Sequence, residues 1–182
     1  MALVKPVIFQ VVGYQNSGKT TITSKLIGML VDSGVKTVTI KHHGHGGRPT
    51  VVTQKDTEKH LAAGAMVSIV EGDGRLILTA DNLDATLCYQ IELLKFFHPD
   101  VILIEGYKLE NYPKLLLIRH KCDLSLVYKV NNIVGIVYWE EEVKDSITAY
   151  IDVPCFRIED ETAISWTVQL IQRLVHRKDE KG

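Results

Sequence analysis

Residues 13–20 limit the fold of this chain more than any other segment. They read Gly-Tyr-Gln-Asn-Ser-Gly-Lys-Thr and match the pattern Gly-x4-Gly-Lys-Ser/Thr at every defined position. Residues 7–12 before them are apolar except for Gln10, which is typical of a strand buried in a parallel sheet. Residues 20–32 after them carry apolar side chains at helical spacing. A glycine-rich turn between such a strand and such a helix indicates a phosphate-binding loop, or P-loop.

Each position of this loop has a chemical reason to hold a nucleoside triphosphate. The glycines let the backbone turn so that its N–H groups point at phosphate oxygens. Lys19 brings positive charge to the β- and γ-phosphates, and the Thr20 hydroxyl is a hard oxygen ligand for Mg2+. We therefore predict a nucleotide site formed by the loop and the first helical turn. Its residues are Gly13, Tyr14, Gln15, Asn16, Ser17, Gly18, Lys19, Thr20 and Thr21.

The rest of the chain alternates between strand and helix patterns. Further strands are predicted at residues 35–41, 101–104, 115–118 and 133–137, and helices at residues 54–63, 84–97 and from Asp160 or Thr162 onward. Residues 66–70 and 75–78 flank a Glu-Gly-Asp-Gly turn and predict a hairpin. The pattern indicates one α/β domain over residues 1–182, with the three-layer P-loop NTPase fold, a mostly parallel sheet and a protruding hairpin at residues 66–78.

Composition excludes several classes of protein. A length of 182 residues suits a single domain, and a net charge of −1 argues against broad nucleic-acid binding. The three cysteines are far apart, which is typical of reduced thiols. No signal peptide is evident, and no apolar run approaches the roughly 20 residues of a membrane-spanning helix. We expect a soluble, cytoplasmic protein without nucleic-acid or membrane partners.

Two acidic residues are candidates for the magnesium site. Glu105 follows the apolar run 101–104, and the carboxyl ends of parallel strands form the ligand edge of such a sheet. Asp56 follows the loop after the second strand and could complete the metal shell or orient a water, although it could also simply cap a helix. We predict Thr20, Asp56 and Glu105 as metal-binding residues, and Lys19, Asp56 and Glu105 as the catalytic group.

Residues 41–48 read Lys-His-His-Gly-His-Gly-Gly-Arg. Three histidines so close together could indicate zinc, but their spacing fits no standard ligand pair. A cationic loop that contacts an anion, or an ordinary loop, are the other interpretations.

The base-reading residues are left open by the sequence. His120-Lys121-Cys122-Asp123 nearly matches the guanine-reading pattern Asn/Thr-Lys-x-Asp, but histidine replaces asparagine poorly. The connection from Glu105 to Leu115 is also too short for a helical crossover of a dozen or more residues. The loop at residues 153–156 is an equal candidate, and the choice between GTP and ATP stays open.

Four segments in order resemble the MobB family of molybdopterin-guanine dinucleotide biosynthesis adaptor proteins. They lie at residues 13–21 (Gly-x-x-Asn-Ser-Gly-Lys-Thr-Thr), 40–45 (Ile-Lys-His-x-x-His), 56–65 and 105–108 (Glu-Gly-Tyr-Lys). The resemblance implies binding of GTP with Mg2+, slow hydrolysis and homodimers, with the hairpin as the surface that a second subunit covers. It also implies assistance to the guanylyltransferase that joins GMP to molybdopterin. His42, His45 and Lys108 would then contact the pterin phosphate or the γ-phosphate.

The leading hypothesis is therefore a GTP-binding adaptor with weak GTPase activity. No arginine finger or water-positioning residue is evident, so turnover should be slow. Whether the protein acts as an enzyme at all stays open. An ATP-dependent small-molecule kinase or ligase, and a metallochaperone GTPase that uses the histidines, are the alternatives.

Overall fold

A six-stranded parallel sheet forms the centre of the molecule, in a computed structural model that describes residues 5–42, 55–81 and 83–179. Its strands are β1 (Val7–Gly13), β2 (Thr37–Lys41), β5 (Val101–Glu105), β6 (Lys114–Ile118), β7 (Ile133–Tyr138) and β8 (Cys155–Arg157). Their order in the sheet is β2-β5-β1-β6-β7-β8. Strands β1, β5 and β6 are buried on both faces, as their nearly continuous apolar sequences predict.

Helices cover both faces of the sheet and complete the three layers. The helices on the sheet are α1 (Lys19–Asp32), α3 (Leu87–Lys95), α4 (Ser125–Lys129), α5 (Lys144–Thr148) and α6 (Thr162–Asp179), whereas α2 (Lys55–Ala62) lies against residues 67–72. Apolar residues of α1 and α6, among them Leu26 and Ile171, pack on one face of β1, β5 and β6. The opposite face carries two separate clusters, one under α3 and one under α4 and α5. The predicted α/β fold and the predicted hairpin are confirmed.

The connection from β5 to β6, residues 106–113, contains no helix. Val11 pairs with Glu105 on one side of β1, and Gln10 pairs with Lys114 on the other. Strand β6 therefore begins level with the end of β5, and the chain only has to cross β1 instead of running back along it. This offset explains why a connection shorter than the usual parallel crossover suffices. We call residues 106–113 the crossing loop.

The hairpin consists of β3 (Val67–Gly72) and β4 (Arg75–Ala80). Its two turn residues, Asp73 and Gly74, both have positive φ angles, of 51° and 74°. Such a turn matches the right-handed twist of paired strands and favours Asp-Gly. One face of the hairpin is apolar and exposed, and we call it the hairpin face. Its residues are Val67, Ile69, Leu76 and Leu78.

Several local predictions were wrong. Helix α3 begins at Leu87 instead of Asp84, because Thr86 is the N-cap and its hydroxyl accepts a hydrogen bond from the N–H of Tyr89 at 3.2 Å. The short elements α4, α5 and β8 were missed, since too few residues carry their periodicity.

Helix α6 begins at Thr162, one of the two predicted starts. The carboxylate of Asp160 accepts a hydrogen bond from the N–H of Thr162 at 2.8 Å.

Across residues 5–42, 55–81 and 83–179, no helix combines the length and the apolar character needed to cross a membrane.

Candidate nucleotide-binding site

The P-loop joins the end of β1 to the start of α1, as the sequence predicts. Gly18 is the N-cap of α1 and has a φ of 92°, a conformation that glycine adopts without strain. Gly13 faces a different constraint, because a Cβ there would stand 2.8 Å from the carbonyl oxygen of Leu117 and 2.6 Å from Oγ of Ser17. Because α1 begins directly after the loop, the N–H groups of its first turn and the positive end of its dipole face the loop. This arrangement is suited to bind phosphate.

Lys19 lies against the inside of this loop. Its Nζ donates a hydrogen bond to the carbonyl oxygen of Tyr14 at 2.5 Å and stands 3.5 Å from Oγ of Ser17. Burial lowers the pKa of Lys19 below its ordinary value of 10.5. Glu105 opposes that shift, while Lys108 and Lys41 add to it by charge repulsion. Lys19 therefore belongs to one electrostatic cluster with three other charged residues.

Glu105 is the acidic centre of the cluster. It ends β5, is 9% exposed, and accepts a hydrogen bond from the Thr20 hydroxyl at 2.8 Å. The ammonium group of Lys41, at the end of β2, lies 3.1 Å from the Thr20 hydroxyl and 3.3 Å from Oε1 of Glu105. The Thr20 hydroxyl and the Glu105 carboxylate come from different elements and lie close together beside the phosphate loop. Hard oxygen atoms of this kind are the ligands that Mg2+ prefers.

Directly after Glu105 the chain turns sharply. Gly106 and Tyr107 have φ angles of 101° and 50°, and a Cβ on Gly106 would stand 2.9 Å from the Cβ of His42. The Tyr107 ring packs against the His42 ring with centroids 4.3 Å apart. Lys108 then places its ammonium group 5.1 Å from the centre of the Tyr14 ring. The crossing loop thereby brings aromatic and cationic groups to the rim of the P-loop.

The outer side of the P-loop is held by β6 and β7. The indole N–H of Trp139 donates a hydrogen bond to the carbonyl oxygen of Ser17 at 3.0 Å. The guanidinium group of Arg119 donates to the carbonyl oxygen of Asn16 at 3.1 Å and lies 5.2 Å from the Trp139 ring centre. Because these contacts use loop carbonyl groups, they leave the loop N–H groups to the ligand.

A cavity of about 1220 Å³ opens between these elements. Most of the predicted site residues line it: Gly13, Tyr14, Gln15, Asn16, Gly18, Lys19, Thr20, Thr21, His42, Glu105 and Lys108. Ser17 lies buried beneath the loop. The volume exceeds the roughly 300–1,000 Å³ that is typical of a site for one small ligand.

Apart from Ser17, one described residue of the predicted site, Asp56, does not line the cavity. Asp56 lies on α2 with its side chain 83% exposed, and its carboxylate pairs with Lys59 at 2.9 Å instead of lining the cavity. The structure therefore does not support Asp56 as a metal or catalytic residue. Asp56 lies in the first turn of α2, three residues before Lys59, and this spacing brings the two side chains together. His45 lies outside the described residues.

Neither candidate for base reading reaches the cavity. The carboxylate of Asp123 accepts hydrogen bonds from the N–H groups of Arg119 and His120, at 2.9 and 3.2 Å, and is buried in this cap. In the other candidate, Val153 and Cys155 pack in the apolar cluster of β7, and Phe156 contacts the Trp166 ring. The near-match at residues 120–123 is thus a helix-capping arrangement.

Among the residues at the site that the sequence prediction missed, three carry a signal that could have identified them. From the sequence, Lys41 is only the first residue of a cationic loop. It also ends a predicted strand, and ligands bind at the carboxyl ends of parallel strands. Trp139 follows β7 at the equivalent position, and the same rule points to it. Gln10, whose side-chain amide holds the crossing loop, was visible as the one polar residue in an apolar strand.

The sheet order, the loop geometry and the cavity together define a P-loop nucleotide-binding protein. The sequence model of the family described as molybdopterin guanine dinucleotide synthesis protein B matches residues 8–139. The chain belongs to this family, MobB.

Similar proteins agree with the family over most of the chain. A probable molybdopterin-guanine dinucleotide biosynthesis adapter protein of Bacillus subtilis is 42% identical over 175 residues, which cover 94% of this chain and 98% of that protein. The crystal structure of Bacillus subtilis MobB superposes with a TM-score of 0.75 at 36% identity, covering 90% of this chain and 96% of that one. A MobB homolog from Bacillus stearothermophilus superposes with a TM-score of 0.73 at 29% identity, covering 91% and 98%.

Proposed function

We propose that this protein binds GTP with Mg2+ in the P-loop cavity and acts in the cytoplasm as an adaptor for the guanylylation of molybdopterin. The observation that carries the proposal is the cluster of Lys19, Thr20 and Glu105 at the foot of the P-loop. Its two oxygens would hold Mg2+, which neutralises phosphate charge when it is bound. The loop N–H groups and Lys19 bind and orient the triphosphate.

Hydrolysis by this site is slow. The described residues that line the cavity include no arginine, and Arg119 uses its guanidinium group on the outer side of the loop. Without an arginine beside the γ-phosphate, P-loop GTPases turn over slowly. Nucleotide binding is therefore the main role of the site, and weak GTPase activity is secondary.

The remaining part of the cavity takes a second ligand, molybdopterin or its guanine dinucleotide. Its wall is formed by His42, Tyr107 and Lys108, which bring an aromatic surface and a positive charge. The volume of about 1220 Å³ leaves room for more than one small molecule. The names of the relatives, which are adapters in this biosynthesis, support the same ligand and the guanylyltransferase as partner.

Calorimetric titration with GTP and ATP, each with Mg2+, tests the proposal. GTP should bind more tightly than ATP, and Lys19→Ala should abolish binding while the melting temperature stays unchanged. The control is Lys25→Ala on an exposed turn of the same helix, which should bind like the wild type. Tighter binding of ATP, or undiminished affinity in Lys19→Ala, would contradict the proposal.

A further inference from the structure

Lys41 makes the contact at this site that the function above does not use. Its ammonium group contacts both the Thr20 hydroxyl and Oε1 of Glu105, at 3.1 and 3.3 Å, and these two oxygens are hydrogen-bonded to each other at 2.8 Å. They are the same oxygens that suit a divalent cation. The ammonium group of Lys41 therefore contacts the two oxygens that are expected to bind the metal.

A lysine and a divalent cation compete for these oxygens. Both are positive, and at the 3 to 4 Å separation of contacting groups their repulsion is on the order of 1 kcal/mol or more even in water. Glu105 is nearly buried, and Lys41 and Thr20 both contact the same oxygen, Oε1, so a cation that binds this oxygen has to displace the ammonium group. Lys41 itself can move, because its side chain is 61% exposed and has a long flexible stem.

Lys19 and Lys108 make the same region unfavourable for a bare cation. Both act electrostatically on this cluster, so a free metal ion would meet three lysines and one carboxylate. A triphosphate brings the missing negative charge. It would attract the displaced ammonium group and the metal at once.

We propose that Lys41 competes with the divalent cation for Glu105 and Thr20, so that a triphosphate strengthens metal binding by drawing the ammonium group away. The inference rests on the proposed nucleotide function and adds to it a coupling between metal and nucleotide. Lys41 is then a positioning residue that keeps Glu105 paired in the absence of the metal and the nucleotide.

Titration of the protein with Mn2+ tests the competition, with free Mn2+ followed by electron paramagnetic resonance. Without nucleotide, Lys41→Met should bind Mn2+ about ten-fold more tightly than the wild type, since it frees the carboxylate and removes one charge. Lys41→Arg keeps the charge and should resemble the wild type. Adding Glu105→Gln to Lys41→Met should abolish the gain. Lys41→Gln repeats the test if the methionine variant folds poorly.

Lys108→Met is the matched control. It removes a charge from the same cluster but leaves the contacts of Lys41 with Thr20 and Glu105 in place. Its gain in Mn2+ affinity should be smaller, no more than about three-fold. An equal gain in both variants, or none in Lys41→Met, would overturn the proposal.

A second titration, with a non-hydrolysable GTP analogue present, measures how strongly nucleotide and metal help each other. The analogue should tighten Mn2+ binding by a larger factor in the wild type than in Lys41→Met. If no protein variant binds the analogue, the proposed nucleotide function fails. The nucleotide-free Mn2+ titration still decides the role of Lys41 in that case.

Discussion

Gln10 and Tyr107 lie 97 residues apart in the chain and are joined by a hydrogen bond of 2.8 Å, from the Gln10 side-chain amide to the Tyr107 carbonyl oxygen. The same amide nitrogen donates to the carbonyl oxygen of Gly106 at 3.1 Å. Gln10 is fully buried in β1, the strand that leads into the P-loop. One strand thus holds both the phosphate loop and the crossing loop that carries Lys108.

Gln10→Met should remove these two hydrogen bonds while keeping the volume of the side chain. Two partly buried carbonyl groups lose their donor, although the unpaired buried oxygen of the amide is also removed, so the free energy of unfolding should fall by about 1 kcal/mol in urea denaturation. Gln10→Glu should be worse, because a buried carboxylate cannot donate to either carbonyl group. Equal stability of the wild type and Gln10→Met would show that the amide does not hold the crossing loop.

Gly106 and Gly28 form a matched pair for alanine substitution. Gly106→Ala should weaken triphosphate binding and lower stability, because it adds a Cβ 2.9 Å from His42 at a φ of 101°. Gly28→Ala should raise stability by about 0.5–1 kcal/mol, since this position lies within α1 and no atom stands within 4 Å of the new Cβ. Thermal unfolding and calorimetric titration measure both. A Gly106→Ala variant with normal binding would contradict the close packing described here.

Alkaline pH should weaken triphosphate binding through Lys19. Burial lowers the pKa of Lys19, and only the protonated ammonium group attracts phosphate. Affinity is therefore constant at pH values below this pKa and falls as pH rises through it, by up to about ten-fold per pH unit, beginning below 10.5. Inorganic triphosphate is the suitable probe, because guanine itself loses a proton in alkaline solution.

The control for this pH effect is Lys19→Arg. A guanidinium group stays charged over the whole range, so this variant should bind more weakly and show a flatter pH profile. Wild-type affinity that stays constant up to pH 10.5 would exclude Lys19 as the titrating phosphate ligand.

The hairpin face should mediate self-association. Ile69 and Leu78 are directly opposite each other on β3 and β4 and are 57% and 42% exposed, which is unusual for neighbouring apolar residues. We expect a dimer in light scattering, and a monomer when Ile69→Lys and Leu78→Glu are combined. The opposite charges keep the cross-strand pair favourable, so the hairpin itself should persist.

Val31→Lys is the control, since it changes an apolar side chain that is 54% exposed but belongs to α1 and not to the hairpin. This variant should stay dimeric. A monomeric wild type, or a double variant that still dimerises, would contradict the role of the hairpin face.

Local patterns predicted most of the fold. The P-loop, β1, α1 and the hairpin could be recognised because their signals lie in contiguous residues, such as the turn at Asp73 and Gly74. The start of α3 at Leu87 could not be recognised, because Asp84 and Thr86 are both suitable N-cap residues. The tertiary packing determines which of the two caps the helix. The resemblance to the MobB family rested on short motifs, and the family match over residues 8–139 confirmed it.

The sequence by itself determined the class of site, because the residues that cradle a phosphate follow one another from Gly13 to Thr20. Tertiary structure decided which distant residues join that loop. It brought Glu105 and Lys41 to Thr20 and left Asp56 on the surface, although both acids follow plausible signals. The physical reason is strand register: pairing of β5 beside β1 and β2 sets which strand ends meet at the ligand edge, and no local pattern encodes that alignment.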